Sequence, residues 1–172
     1  MERVVIIGPG GSGKSTLARA IAARTGLPVV HLDVLFWRAD WEPAPVEQAV
    51  RDLAAAVADD RWIVDGNFLQ RVGEDGRLDR ADTVIFLDLP RRVCLWRVIV
   101  RLVRDRRRTR PDLPEGCREG FDPDGLRWIW NYPATERPSV LKLLAGAAER
   151  GAVVHHLRCR ADVRRFIAGR GR

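Results

Sequence analysis

The 172-residue chain is 46% hydrophobic and 31% charged, which fits one folded domain with a sizeable core and excludes a disordered or fibrous polypeptide. Three cysteines, Cys94, Cys117 and Cys159, are odd in number and lack C-x-x-C spacing, which argues against a disulfide framework or a structural zinc site and predicts a reducing, cytoplasmic setting. The net charge of +7 comes from arginine almost throughout, since Lys14 and Lys142 are the only lysines.

The first predicted element is the apolar run Val4-Val5-Ile6-Ile7, short and continuous as in a strand buried on both faces. It begins so early that no leader is expected, and no apolar run reaches the ~20 residues of a membrane helix. Gly8-Pro9-Gly10-Gly11-Ser12-Gly13-Lys14-Ser15 follows, matching G-x-x-x-x-G-K-[ST]. A helix is predicted directly after it, with Leu17, Ala20 and Ile21 at helical spacing. Strand, glycine loop and helix N-terminus together cradle phosphates through backbone N–H groups. Gly8, Gly10, Gly11, Ser12 and Gly13 would form the wrap, and Lys14 would reach the terminal phosphates of ATP. Ser15 would hold Mg²⁺, and Thr16 would reach the α-phosphate.

Beyond the break at Gly26-Leu27-Pro28, Val29–Leu32 reads as a second strand ending at Asp33. A helix is expected over roughly 46–58 and a third strand over 61–64, ending at Asp65-Gly66. A fourth strand covers Thr83–Leu87 and stops at Asp88 before Pro90. A basic amphipathic helix runs from Arg91 to about 107, then a Pro- and Gly-bearing loop over 111–120. Two helical stretches (126–132, 139–149), a fifth strand (152–156) and a last helix (161–168) complete the alternation of an α/β domain with a parallel sheet.

Several of these segments resemble one family: the glycine loop, Leu32-Asp33 with Phe36-Trp37, and Trp62–Phe68. Phe86–Arg91, the arginine helix and Glu115–Glu119 continue the match, which covers the chain to about Tyr132. Together they look like the DNA topology-modulation proteins, relatives of adenylate kinase. The resemblance implies a P-loop NTPase fold, three layers α/β/α, with five parallel strands in the order 2-3-1-4-5. It also implies an acceptor-binding region at about 33–60 and an arginine-bearing lid at about 104–120, all within one domain spanning 1–172.

Asp65 and Asp88 compete to organise Mg²⁺. In nucleotide-kinase relatives the Asp-Gly after strand three holds the metal through water, and Asp65-Gly66 matches it; Asp88 reads as a cap for the next helix. Asp33, at the sheet edge where parallel folds bind ligands, is the candidate to accept a proton from an acceptor hydroxyl. Phe36, Trp37 and Trp41 either stack on the acceptor or pack a flap, and Asn67 and Phe68 share that region. Arg97, Arg101, Arg104 and Arg108 fall on one helix face, opposite a predicted core face of Leu95, Val98, Ile99, Leu102 and Val103. The resemblance makes Arg97 and Arg101 the start of the lid, near the adenine and phosphates of ATP, with Arg106, Arg107, Arg108 and Arg110 beyond. Arg127 and Arg137 are weaker candidates for the same service, and Trp96 reads as packing.

The leading expectation is an ATP-dependent kinase using Lys14, Asp33, Asp65, Arg97 and Arg101 on a small acceptor. A second reading, a nucleotide-regulated DNA-associated protein with weak ATPase activity, draws on the basic segment. The adenylate-kinase stretch Asp-Gly-Phe-Pro-Arg is Asp65-Gly66-Asn67-Phe68-Leu69 here, a departure that weakens the case for a nucleoside monophosphate acceptor.

Overall fold

A computed structural model describes residues 1–67, 76–104, 113–117 and 120–169. The strands β1 (Arg3–Ile7), β2 (Val29–His31), β3 (Trp62–Asp65), β4 (Thr83–Leu87) and β5 (Val153–Leu157) form one parallel sheet in the order β2-β3-β1-β4-β5. Strands β1, β3 and β4 are continuous apolar runs because helices cover both of their faces. Helices α1 (Lys14–Thr25) and α8 (Arg160–Ile167) cover one face, where Leu17, Ala18 and Ile21 pack on Val4, Ile6, Ile63 and Ile85. On the other face lie α2 (Leu32–Phe36), α3 (Val46–Ala56), α4 (Arg77–Arg80), α6 (Pro123–Thr135) and α7 (Arg137–Glu149). Their Phe36, Leu53, Tyr132, Val140 and Leu144 close over Val5, Val64, Val84 and Phe86. Helix α5 (Arg91–Arg104) stands apart from both layers, its Cys94 and Val98 packed with Leu89 and Ile129 of α6.

Local chemistry sets the helix ends. Gly26 ends α1 in the left-handed region, its N–H donating to the Ala22 carbonyl. Asp122 caps α6 by accepting from the Gly125 N–H at 2.9 Å, with Pro123 as the first helical residue.

Two local expectations change. The predicted second strand stops at His31, and Asp33 sits in the first turn of α2 rather than on strand two; β2 is an edge strand of three half-buried residues, and the chain turns into α2 as soon as Leu32 and Phe36 can be buried. The predicted core face of α5 is narrower than its apolar residues: Cys94 and Val98 are buried, but Ile99 and Val103 are exposed, Val103 to 77%. Helix α6 packs against one side of α5, and Ile99 and Val103 fall outside that contact.

Candidate functional site

The glycine loop lies between β1 and α1, and other elements fix it from outside. Gly11 has φ +75°, and a Cβ there would stand 2.3 Å from the Cys94 carbonyl oxygen, so α5 packs directly on loop backbone that only glycine can supply. Gly13, at φ +98°, is the N-cap of α1, and the first intrahelical bond runs from Leu17 N–H to the Gly13 carbonyl at 2.9 Å. The N–H groups of that first turn therefore precede the helical ladder and form the anion-binding end of α1.

The loop carbonyls are engaged. Arg97 Nη1 donates to the Ser12 carbonyl at 2.9 Å and to that of Gly11 at 3.4 Å. Lys14 Nζ donates back to the Gly8 carbonyl at 2.9 Å and, more weakly, to that of Pro9 at 3.3 Å. The Gly8 N–H donates to Asn67 Oδ1 at 3.0 Å, and the buried Arg77 donates from Nη2 to the Asn67 carbonyl at 2.6 Å. Asn67, expected beside the acceptor, thus ties the end of β3 to the first residue of the loop. Arg77 was invisible in the sequence, because nothing in its neighbours marks an arginine that will be 1% exposed.

The three aspartates differ sharply. Asp65 is 3% exposed on the sheet face that α1 covers; Oδ1 meets His31 Nδ1 at 2.6 Å, and the buried Oδ2 has no hydrogen-bond partner among the described residues. A buried carboxylate oxygen left this way carries a desolvation cost that a cation or water relieves. Asp88 is already engaged: Arg137 Nε and His156 Nε2 both reach its Oδ2 at 2.8 Å. Arg137, a weaker lid candidate in the sequence, is thereby an anchor joining α7 to β4. Asp33 lines the cavity that opens over the loop.

That cavity measures about 850 Å³. Loop residues 10–16 form its floor, Arg97, Arg101 and Arg104 of α5 one wall, and Arg160 and Arg164 of α8 the other. Trp96, expected as packing, is 64% exposed and also lines the cavity. Burial lowers the Arg97 pKa, and the like charge of Arg160 lowers it further. Cys94, buried beneath the loop with Sγ directed at the Leu89 carbonyl, has its thiol pushed up to about 11 by burial, which leaves it an inert packing residue. Phe68, Arg106, Arg107, Arg108 and Arg110 lie outside the described residues, as does most of the expected lid.

In the region expected to bind an acceptor, residues 37–43 form a tight flap closed by an antiparallel bridge between Trp37 and Pro43 and by Arg38 N–H donating to the Glu42 carbonyl at 2.7 Å. Trp37 and Trp41 meet edge to face at 5.8 Å, which is packing within the flap itself. Asp40 and Trp41 hold φ values of +57° and +61°, uncommon for residues with a Cβ and found where surroundings over-determine the backbone. One such constraint is Cys117, whose buried thiol donates to the Arg38 carbonyl at 2.9 Å, so the described segment 113–117 rests on the flap.

His31, Arg160 and Arg164 were missed as site residues. The i, i+4 spacing of Arg160 and Arg164 was available in the sequence, but nothing local says which cavity a terminal helix will border.

Residues 4–88, just under half of the chain, match the ATPase family associated with various cellular activities (AAA). Among solved structures, an unliganded sugar kinase from Janibacter sp. HTCC2649 superposes with a TM-score of 0.52 at 19% identity, over 98% of this chain and 91% of that one. The chain has a P-loop kinase-like fold. The match spans β1, the glycine loop and the ends of β3 and β4, the segments that build the cradle. No curated protein matches the chain. The resemblance to topology-modulation proteins rests on the motif residues alone. No helix among the described residues is long and apolar enough to cross a membrane.

Proposed function

We propose that this protein is an ATP-dependent phosphotransferase that moves the γ-phosphoryl group of ATP to a hydroxyl of a small acceptor. The observation that carries this reading is a single cavity bounded by the loop with Lys14, by Asp33 and by the guanidiniums of Arg97 and Arg101. A phosphate cradle, a carboxylate and cations around one space are the parts that in-line phosphoryl transfer needs.

In this reading the loop amides and Lys14 hold the β- and γ-phosphates, and Lys14 exchanges its loop-carbonyl contacts for phosphate oxygens. The acceptor oxygen attacks the γ-phosphorus, the bond from that phosphorus to the β–γ bridging oxygen breaks, and ADP leaves. Asp33 accepts the hydroxyl proton. Arg101 faces the charge that spreads over the equatorial oxygens, and Arg97 keeps the loop carbonyls turned away from the phosphates. Ser15, on the first turn of α1, and Asp65, with its buried Oδ2 lacking a hydrogen-bond partner among the described residues, fit as the groups that hold Mg²⁺ directly or through water. When bound, Mg²⁺ supplies neutralisation of the β- and γ-phosphate charge.

The test is a coupled ADP-release screen against a panel of hydroxyl acceptors with ATP and Mg²⁺. Acceptor-dependent ADP release is expected, and Lys14→Ala should abolish it while circular dichroism stays native. Full activity in Lys14→Ala, or ADP release that no acceptor accelerates, would overturn the assignment.

A further inference from the structure

The cavity carries more positive charge than a nucleoside triphosphate explains. Six arginines line it: Arg19 on α1, Arg97, Arg101 and Arg104 on α5, and Arg160 and Arg164 on α8. The 5′ phosphates of a nucleotide belong on the glycine loop, and Lys14 and the α1 N-terminus already serve them there. The space between α5 and α8 lies beyond that loop, where a base and sugar would sit, and both of those are neutral.

The α8 arginines are the unexplained part. Neither Arg160 nor Arg164 has a hydrogen-bond or ion-pair partner among the described residues, and their i, i+4 spacing puts both on the face that borders the cavity. Arg160 is the first residue of α8, where a cation opposes the helix dipole. The acid of that helix does not compensate it. Asp162 accepts from the backbone N–H groups of Arg158 and Cys159 and pairs with Arg165. Arg160 also stands close enough to Arg97 for the two like charges to disfavour each other. Asp33 is the acid among the described residues that line the cavity, and Arg160 and Arg164 pair with no acid among them; guanidiniums so placed are stabilised by a bound anion. The same walls carry Trp96, Val100, Val163 and Ile167, apolar surface suited to a base.

We propose that the α5–α8 end of the cavity binds a phosphate ester on the ribose of the bound nucleotide, so the preferred ligand is phosphorylated on its sugar as well as along its 5′ chain. This rests on the nucleotide-binding reading above and adds a second anion subsite to it. The ester has two sources, a monoester on a mononucleotide or the phosphodiester that continues a 5′-phosphorylated oligonucleotide.

Isothermal titration of the full chain at low salt compares ADP, adenosine 3′-phosphate 5′-diphosphate and a 5′-diphosphorylated adenine dinucleotide. The 3′-phosphorylated mononucleotide or the dinucleotide should bind at least about fivefold more tightly than ADP. Whichever gains more identifies the source. In Arg160→Gln/Arg164→Gln the ratio of affinities should collapse to within about twofold. Wild-type affinities for both ester-bearing ligands less than about fivefold above that for ADP overturn the proposal without reference to any variant. A preference that survives the double substitution overturns its assignment to α8. If wild-type protein does not bind ADP at all, the nucleotide reading itself fails, and the two failures are told apart.

Discussion

Strands β3 and β4 flank β1 on either side, and each is followed or ended by an aspartate, yet the two carboxylates sit in opposite electrostatic settings. Asp65 is oriented by His31 through one oxygen and keeps the other buried without a hydrogen bond among the described residues. Asp88 receives a guanidinium and an imidazole on the same oxygen and binds α7 and β5 to the end of β4. Asp88 is compensated by the protein's own cation, Arg137, whereas Asp65 keeps one buried oxygen without a hydrogen bond among the described residues, which supports the proposal that Asp65 serves the cation.

The strongest way to break the comparison is Asp65→Asn. Transfer activity should fall by about 10–100-fold, the cost typical of losing a group that orients a metal's surroundings. The Mg²⁺ concentration for half-maximal rate should rise, and the melting temperature should move little. A normal Mg²⁺ titration in that variant would deny Asp65 the role.

Arg137→Met attacks the other strand end and should do the reverse. Among the described residues it leaves Asp88 with His156 as its remaining side-chain partner, and it should cost about 1–3 kcal/mol in urea unfolding, between the values for exposed and fully buried pairs. Activity per folded molecule should change less than about twofold, within the effect of a remote structural contact. A large loss of rate without loss of stability would make Asp88 the functional carboxylate instead.

The smallest expected effect concerns β5, where His155 packs edge to face on Phe166 and burial lowers its pKa below 6.5. The unfolded chain then binds the proton more readily than the folded one. Stability from this group is complete above about pH 6.5 and declines as the pH falls through the folded value. His155→Phe should flatten that part of the pH–stability curve, measured by thermal melts across the acid range, and leave the Mg²⁺ titration unaltered.

Much of this molecule was legible in its residues. Val4–Ile7, the eight-residue loop and the helix behind it identify the cradle, because each step is local: apolar residues bury a strand, glycines free the backbone, and the helix start presents N–H groups. The parallel α/β alternation was equally readable. The face of α5 was not, since nine apolar side chains on a helix do not say how many neighbours will pack against it, and Ile99 and Val103 remain exposed. The contact that Arg97 makes was not legible for a related reason. Its spacing put it on one face with Arg101 and Arg104, but its contact with the Ser12 carbonyl depends on α5 resting against Gly11.

The phosphate-binding loop and the parallel class of the sheet were readable from the residues alone, because they follow from short-range spacing and the period of burial. The partners of the two aspartates follow from the fold, since Arg137 and His156 reach Asp88 from segments far along the chain, as His31 reaches Asp65. The fold also decided that the arginines of α8 share a cavity with those of α5. Electrostatic pairing acts through space, and the fold alone sets those distances.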